Sequence, residues 1–434
     1  MRTCDVIAKK RDGGKLTSKE LEFVVQGFIE EEITDYQMSA FLMACYIRGL
    51  DIDETGNLTK VMASSGEQVD LSAISGIKVD KHSTGGIGDK TTLVVGPLVA
   101  AAGVPVAKMS GRGLGYTGGT IDKLESIPEF NPYLKENEFI RQVSKIGIAI
   151  VGATENINPA DKKIYALRDV TATVSSIPLI ASSIMSKKIA GGADAIVLDV
   201  KVGSGAFMKK PDDARELAKL MVNIGEKAGR KTVAVITNMN EPLGFTVGNA
   251  LEVKEAIDTL KGKGPKDLTE LCLTIGSHML VLGEAETSVK SAREKLEEVI
   301  CSGKALKKFA QFVEAQDGNP EVIDNYDILP RAKIVSDYIA SGDGYISSID
   351  AEAVGKAALE LGAGRATKDD KIDSSVGIVL KHKVGDHVEA GDVLVEIHAN
   401  DIVLLDRADT IIDNAISISK EKLEKKAMVM EVIS

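Results

Sequence analysis

Cysteine, positive net charge and long apolar runs are all scarce in this chain, and each scarcity removes a class of function. The four cysteines, Cys4, Cys45, Cys272 and Cys301, show no CxxC or metal-ligand spacing. They read as reduced thiols rather than a disulfide framework or a zinc site. The formal net charge is −11, which argues against nonspecific nucleic-acid binding, so any anion site has to be a local arrangement working against the global field. The longest apolar stretch, Thr91–Val106, is broken by glycine and proline and falls short of the roughly 20 residues that span a bilayer. The opening MRTCDVIAKKRDGGK has no apolar core and does not read as a signal peptide. The expectation is a cytoplasmic, reduced, globular protein with no membrane or nucleic-acid partner.

What is present is an ordinary core-forming composition, 44% apolar and 27% charged over 434 residues, enough for roughly two to four domains. The first ~65 residues read as three helices: one from Ser18 to Ile29 with Thr17 or Ser18 as N-cap, one from Asp35 to Ile47, and one starting at Asp53 or Thr55. From Gly76 the texture becomes strand, glycine loop, helix, strand. Ile77–Asp80 and Val104–Met109 are predicted strands around an apolar helix, with further strands at Ile148–Val151, Ala195–Val200 and Thr232–Thr237. Between them, Asn158-Pro159 and Ser176-Ile177-Pro178 each open a helix, the second stopped by Gly191-Gly192. This insert is expected to pack with the N-terminal helices.

The predicted fold class is α/β: a small discontinuous helical domain (1–66 and 160–192) and a large domain with a mostly parallel sheet (76–155 and 193–335). A β-rich, hammerhead-like module (336–434) with a last helix near Asp406–Ile416 completes the chain.

Ten of the 41 glycines lie between Asp80 and Asp122, eight of them in two loops that each follow a strand. The first is KHSTGGIGDK (Lys81–Lys90) and the second SGRGLGYTGGT (Ser110–Thr120). Glycine lets backbone N–H groups turn toward a ligand, and a following helix N-terminus adds partial positive charge, which together suit a phosphate. Neither loop is GxxxxGK[ST], and neither fits the dinucleotide fingerprint. His82 stands inside the first loop, where an imidazole can donate a hydrogen bond or move a proton. In the helical insert, Tyr165 and Arg168 share one face, as do Ser183 and Lys187, and they lie among apolar residues rather than in an acid–base ladder.

KHSTGGIGDKTT, KMSGRGLGYTGGTIDKLES and the run from NPADKKIYALRDV to DVKVGSGAFMK resemble the thymidine and pyrimidine-nucleoside phosphorylases over essentially the whole chain. The resemblance implies a homodimer whose helical domain is hinged to the α/β domain, with phosphate on the large domain and nucleoside on the small one. It places phosphate against Lys81, His82, Ser83, Thr92, Lys108, Met109, Ser110 and Thr120. The pyrimidine is expected at Arg168, Ser183 and Lys187, with Tyr165 and Leu114 lining its pocket, and His82, Arg168 and Lys187 as the catalytic set. The resemblance further implies a potassium ion at Gly88, Lys90, Leu243, Thr246 and Glu255, and, through Lys108, acceptance of uridine beside thymidine.

A second enzyme reading is a phosphoribosyltransferase of the anthranilate type, which resembles this fold and needs a diphosphate with Mg²⁺. A carrier reading of the C-terminal module fails on Asp401, which stands where a biotinyl or lipoyl domain needs lysine.

Overall fold

The structure is a computed structural model that describes residues 1–434 apart from Leu114, Thr117, Thr154, Glu155 and Lys368. It opens with four helices, α1 (Thr3–Arg11), α2 (Ser18–Ile29), α3 (Asp35–Arg48) and α4 (Ile52–Ala63). Of the two expected N-caps, Thr17 caps α2, and it does so in a box with Glu20. The caps of α3 and α4 are Thr34 and Asp51, each one to four residues ahead of the expected Asp35, Asp53 or Thr55. Sequence periodicity misses α1 because only Val6 and Lys10 are buried on it. Lys10 donates to both oxygens of the buried Glu54 on α4, at 2.7 and 2.9 Å, so an ion pair rather than an apolar stripe docks this helix.

The large domain then runs β1 (Val79–Ser83), α5 (Thr91–Ala101), β2 (Val106–Ser110), α6 (Thr120–Leu124), α7 (Glu136–Ile146) and β3 (Ile148–Gly152). The helical insert follows as α8 (Pro159–Val170) and α9 (Ile177–Ala190). The chain returns to the sheet with β4 (Ala195–Val202), α10 (Pro211–Lys227) and β5 (Lys231–Asn238). A short β6 (Thr246–Val247) and the helices α11 (Asn249–Leu260), α12 (Lys266–Leu282), α13 (Val289–Cys301) and α14 (Lys304–Ala315) come next.

β1, β4 and β5 pair in parallel, as do β2 and β3. β1 begins two residues later than the sequence suggests, so that Lys81, His82 and Ser83 lie on the strand, with Ser83 opposite Asp199 of β4. α5 is apolar on all sides and buried against Val197, Val235, Phe309 and Phe312, which fixes the end of the first glycine loop in the core.

Ala160, Ile164 and Leu179 of the insert share a core with Leu21, Phe28, Phe41 and Leu58. The other side of α9 packs Ala181, Ile184 and Met185 on β4 and α10. One helix therefore belongs to both cores.

The C-terminal part comprises β7 (Ile334–Ile339), β8 (Gly344–Ile349), α15 (Ala351–Glu360), β9 (Gly377–Leu380), β10 (His387–Val388) and β11 (Val393–Ala399). It ends with α16 (Ile402–Asp413), β12 (Ile416–Ser419) and β13 (Val429–Ile433). α16 starts at Ile402, capped by Asp401, four residues before the expected Asp406. Two features depart from a self-contained module. β6, from the large domain, completes the sheet β6-β9-β11-β7, and β13 adds antiparallel to β5 at the edge of the main sheet. Ile87, in the middle of the first glycine loop, is fully buried in the module's core beside Val354 and Ile378.

Candidate active site

β1 sets the centre of the site. Its alternation sends Asp80 and His82 to one face and Lys81 and Ser83 to the other. Lys81 is 3% exposed, and its ammonium donates to Thr91 Oγ1 at the start of α5. It also lies 3.9 Å from Asp89 and from Asp199. Lys201, two residues beyond Asp199 on β4 and fully buried, approaches Asp199 Oδ2 at 2.8 Å and Asp89 Oδ2 at 3.9 Å. Burial pushes the Asp89 carboxyl upward, but Lys201, Lys81 and Lys123 outweigh it and hold the group well below the usual carboxylate range. Two ammonium groups and two carboxylates thus form the floor beneath the first loop.

The second loop is organised by Asp122. Its Oδ2 accepts from Gly113 N at 2.6 Å, and its Oδ1 accepts from Arg112 at 3.0 Å and Arg365 at 2.8 Å. A side chain at Gly119 would collide with the backbone of Gly113 and approach Asp122 Oδ2 to 2.6 Å, which is why this turn needs glycine. The neighbouring Lys123 bonds Asp89 O at 2.7 Å and pairs with Glu252 at 2.8 Å, tying the second loop to the first. Gly115 N donates to Arg365 O at 2.8 Å. The C-terminal module therefore buttresses both loops, through Ile87 and through Arg365.

Of the expected phosphate residues, Thr92 lies buried in the first turn of α5, Ser83 and Ser110 end β1 and β2 half-buried, and Thr120 opens α6. Met109 turns its side chain to the core around Val69 and Val151. Lys108 is buried, bonded to Lys81 O at 2.6 Å and Asp80 Oδ1 at 3.2 Å. Burial drives its amine down to about 7, against the opposing pull of Asp80.

α9 brings the other half of the site. Lys187 donates to Ser183 Oγ at 3.0 Å and to Asp161 Oδ2 on α8, and its side chain is still 42% exposed. Lys188 crosses to β1 and pairs with Asp80 Oδ2 at 2.6 Å. Arg168 is 1% exposed. It donates to the carbonyls of Leu179 at 3.0 Å, Val174 at 2.7 Å and Thr173 at 3.4 Å, and it stacks 5.8 Å from the Tyr165 ring. In this conformation its guanidinium clamps the α8–α9 connection. Leu114 lies outside the described residues.

His82 sits where the two halves meet. Burial first, then Lys188, Lys108, Lys187 and Lys81, push its pKa well below the ordinary value. The imidazole is neutral at pH 7 and can donate from one nitrogen only. Its NMR titration is expected to be displaced well below that of an ordinary histidine. A titration centred near the ordinary 6.5 would contradict the cationic surroundings described here.

The five residues expected around potassium also converge, but the point they surround is already filled. Lys90 Nζ bonds Leu243 O at 3.1 Å, Thr246 O at 2.8 Å, Thr246 Oγ1 at 3.0 Å and Glu255 Oε2. Gly88 O is turned to Lys90 N at 2.9 Å. With the protein's own ammonium inside, this donor set does not fit a potassium ion.

The sequence pattern does not single out Asp80, Asp89, Asp122, Lys123, Asp161, Asp199 or Lys201. The signals were faint. Asp199 and Lys201 share a strand face by their spacing of two, and Asp161 is one turn into a helix whose cap was recognised.

Residues 75–306 match the family described as "Glycosyl transferase family, a/b domain", and residues 5–66 its "helical bundle domain". Residues 345–419 match "Pyrimidine nucleoside phosphorylase C-terminal domain". The pyrimidine-nucleoside phosphorylase of Geobacillus stearothermophilus is 57% identical over 434 residues, covering 100% of both chains. The chain belongs to the pyrimidine-nucleoside phosphorylase family. The pyrimidine-nucleoside phosphorylase of Bacillus subtilis is 59% identical over 92% of each chain. Among solved structures, anthranilate phosphoribosyltransferase from Thermus thermophilus aligns with a TM-score of 0.58 at 19% identity, over 72% of this chain and 99% of its own. That likeness shows a shared fold and no more. Within the phosphorylase family's architecture, the two glycine loops and the α9 lysines described above occupy the junction of the helical and α/β parts.

Proposed function

We propose that the chain catalyses the reversible phosphorolysis of pyrimidine nucleosides (uridine, thymidine and deoxyuridine) to free base and (deoxy)ribose 1-phosphate. The observation that carries this reading is the meeting of two basic faces at a neutral histidine: Lys81 and the glycine loops on one side, Lys187 and Lys188 of α9 on the other.

Phosphate is held by Lys81, Ser83, Thr92, Ser110 and Thr120, with the backbone of Lys108–Ser110 at its edge. The nucleoside lies against Arg168, Ser183, Lys187 and Tyr165. As the C1′–N bond breaks, negative charge grows on the departing base. Lys187 and the neutral His82 face that charge with N–H donors, and groups that strengthen as charge develops lower the barrier most. Phosphate is already an anion, so attack at C1′ needs no general base. Because the two reactants rest on different domains, closure between them aligns phosphate and C1′ and contributes much of the rate. Arg168 acts on the base once closure frees its guanidinium from the Thr173–Leu179 carbonyls.

Incubation with uridine tests this: uracil release that depends on inorganic phosphate is expected. Turnover only with phosphoribosyl diphosphate and Mg²⁺ would move the chain to the transferase reading.

The same proposal includes acceptance of ribose. Lys108, bonded to Lys81 O and Asp80 beside the first loop, is the amine placed to meet the sugar 2′-hydroxyl in this reading. Lys108→Met is expected to lower uridine turnover relative to thymidine about tenfold, the worth of one hydrogen bond to the 2′-hydroxyl. An unchanged ratio removes Lys108 from sugar recognition.

The working unit is a cytoplasmic homodimer. Tyr36, Ile47 and Val170 on the helical part are 74%, 69% and 78% exposed, a set of large apolar side chains that a partner copy would cover. Light scattering at the mass of one 46.1 kDa chain would contradict the dimer.

A further inference from the structure

Lys90 is fully buried, yet it lies in neither basic face of the active site. The loop from Pro242 to Thr246 turns the carbonyls of Leu243 and Thr246 toward one point, where the Thr246 hydroxyl and Glu255 Oε2 also converge. Glu255 is held in place by Phe245 N at 2.8 Å and Thr246 Oγ1 at 2.9 Å. The wall on the opposite side is Gly88, with φ +71°, where an added Cβ would come within 2.7 Å of Leu243 O and 3.0 Å of Thr246 O. Carbonyl and carboxylate oxygens gathered around one dry point repel each other unless a cation sits between them. An ammonium is monovalent, close to potassium in size, and a donor to three oxygens at once.

We propose that the Lys90 ammonium is a built-in replacement for the monovalent cation, so that this enzyme neither binds nor requires potassium. The tether is covalent and therefore always saturated. It acts on the first glycine loop directly. Lys90 precedes α5, and its neighbours Asp89 and Thr91 are the groups that hold Lys81. Fixing Lys90 to the 242–246 loop fixes that constellation. Lys383 of the C-terminal module grips the same loop through Gly244 O at 2.9 Å and Pro242 O, and pairs with Asp267 at the start of α12 at 3.0 Å. A potassium ion added to the cage would lie in contact with a like charge, away from water.

The test compares the dimeric enzyme in potassium chloride, sodium chloride and choline chloride at equal ionic strength, reading both melting temperature and phosphorolysis. The parent enzyme is expected to melt and turn over alike in all three. Lys90→Ala opens an oxygen-lined cage with an unpaired Glu255. In choline it is expected to lose about tenfold or more in kcat/KM for phosphate. Potassium should restore it saturably and raise the melting temperature by roughly 3 °C. Lys90→Met, which fills the same space without charge, should show the loss and no potassium response.

A saturable, potassium-specific gain in melting temperature or activity of the parent enzyme overturns the proposal. A Lys90→Ala protein indifferent to potassium overturns it as well. If that variant fails to fold, the parent enzyme's response alone decides. The melting readout is independent of whether the reaction is phosphorolysis.

Discussion

Lys187→Met is expected to lower kcat/KM for uridine by about 10²–10³-fold, the usual cost of removing one donor aimed at developing charge. Asp161 and Ser183 fix the ammonium from behind, while the chain remains 42% exposed on its free side. A cation positioned by two partners and still open to a ligand loses little on reorganisation when charge appears on the base. The loss should fall on kcat, with the KM for phosphate nearly unchanged, because the proposed phosphate site lies on the other face. A drop of less than tenfold, or one confined to KM for phosphate, contradicts this placement. Asp161 Oδ1 already lacks a hydrogen-bond partner among the described residues, so the variant leaves a buried carboxylate unpaired. Asp161→Asn in the same background should then recover stability without recovering activity.

The second large effect is expected at Lys81. Lys81→Ala removes an ammonium from the proposed phosphate site and leaves Asp89 to Lys201 and Lys123, and Asp199 to Lys201. Breaking a buried charge network in this way costs about 3–5 kcal/mol, read as a fall in the urea midpoint. The kinetic signature separates binding from folding: kcat/KM for phosphate should fall by about 10²–10³-fold, while nucleoside affinity measured without phosphate stays the same. A variant that keeps its phosphate KM would place the anion elsewhere.

How much of this was legible in the sequence follows from which forces write themselves locally. Thr17, one of two N-cap candidates, the Asn158-Pro159 and Ser176 helix starts and the placement of the two glycine loops after strands are local patterns, and the structure agrees with them. α1 escaped because it is held by the Lys10–Glu54 ion pair rather than by an apolar stripe. β13 and β6 escaped because their partners lie roughly 130–200 residues away, at β5 and β9, and no short-range period encodes such pairing.

The same division applies to the site. Lys81, His82, Ser183 and Lys187 stand in recognisable motifs. The carboxylates that set their charge and position, Asp80, Asp89, Asp161 and Asp199, are single residues whose role exists only after folding. Lys90 was legible as a member of the cation set, but whether it borders the cage or fills it depends on the path of the Pro242–Thr246 loop.

The central claim is that phosphate waits on one face and displaces the base held by the other, by direct attack at C1′. Displacement of this kind inverts the sugar centre. Following uridine in inorganic phosphate by ³¹P and ¹H NMR tests it most directly. The account predicts that α-ribose 1-phosphate appears one-for-one with uracil. Uracil accompanied by free ribose, or by the β-phosphate, would contradict it.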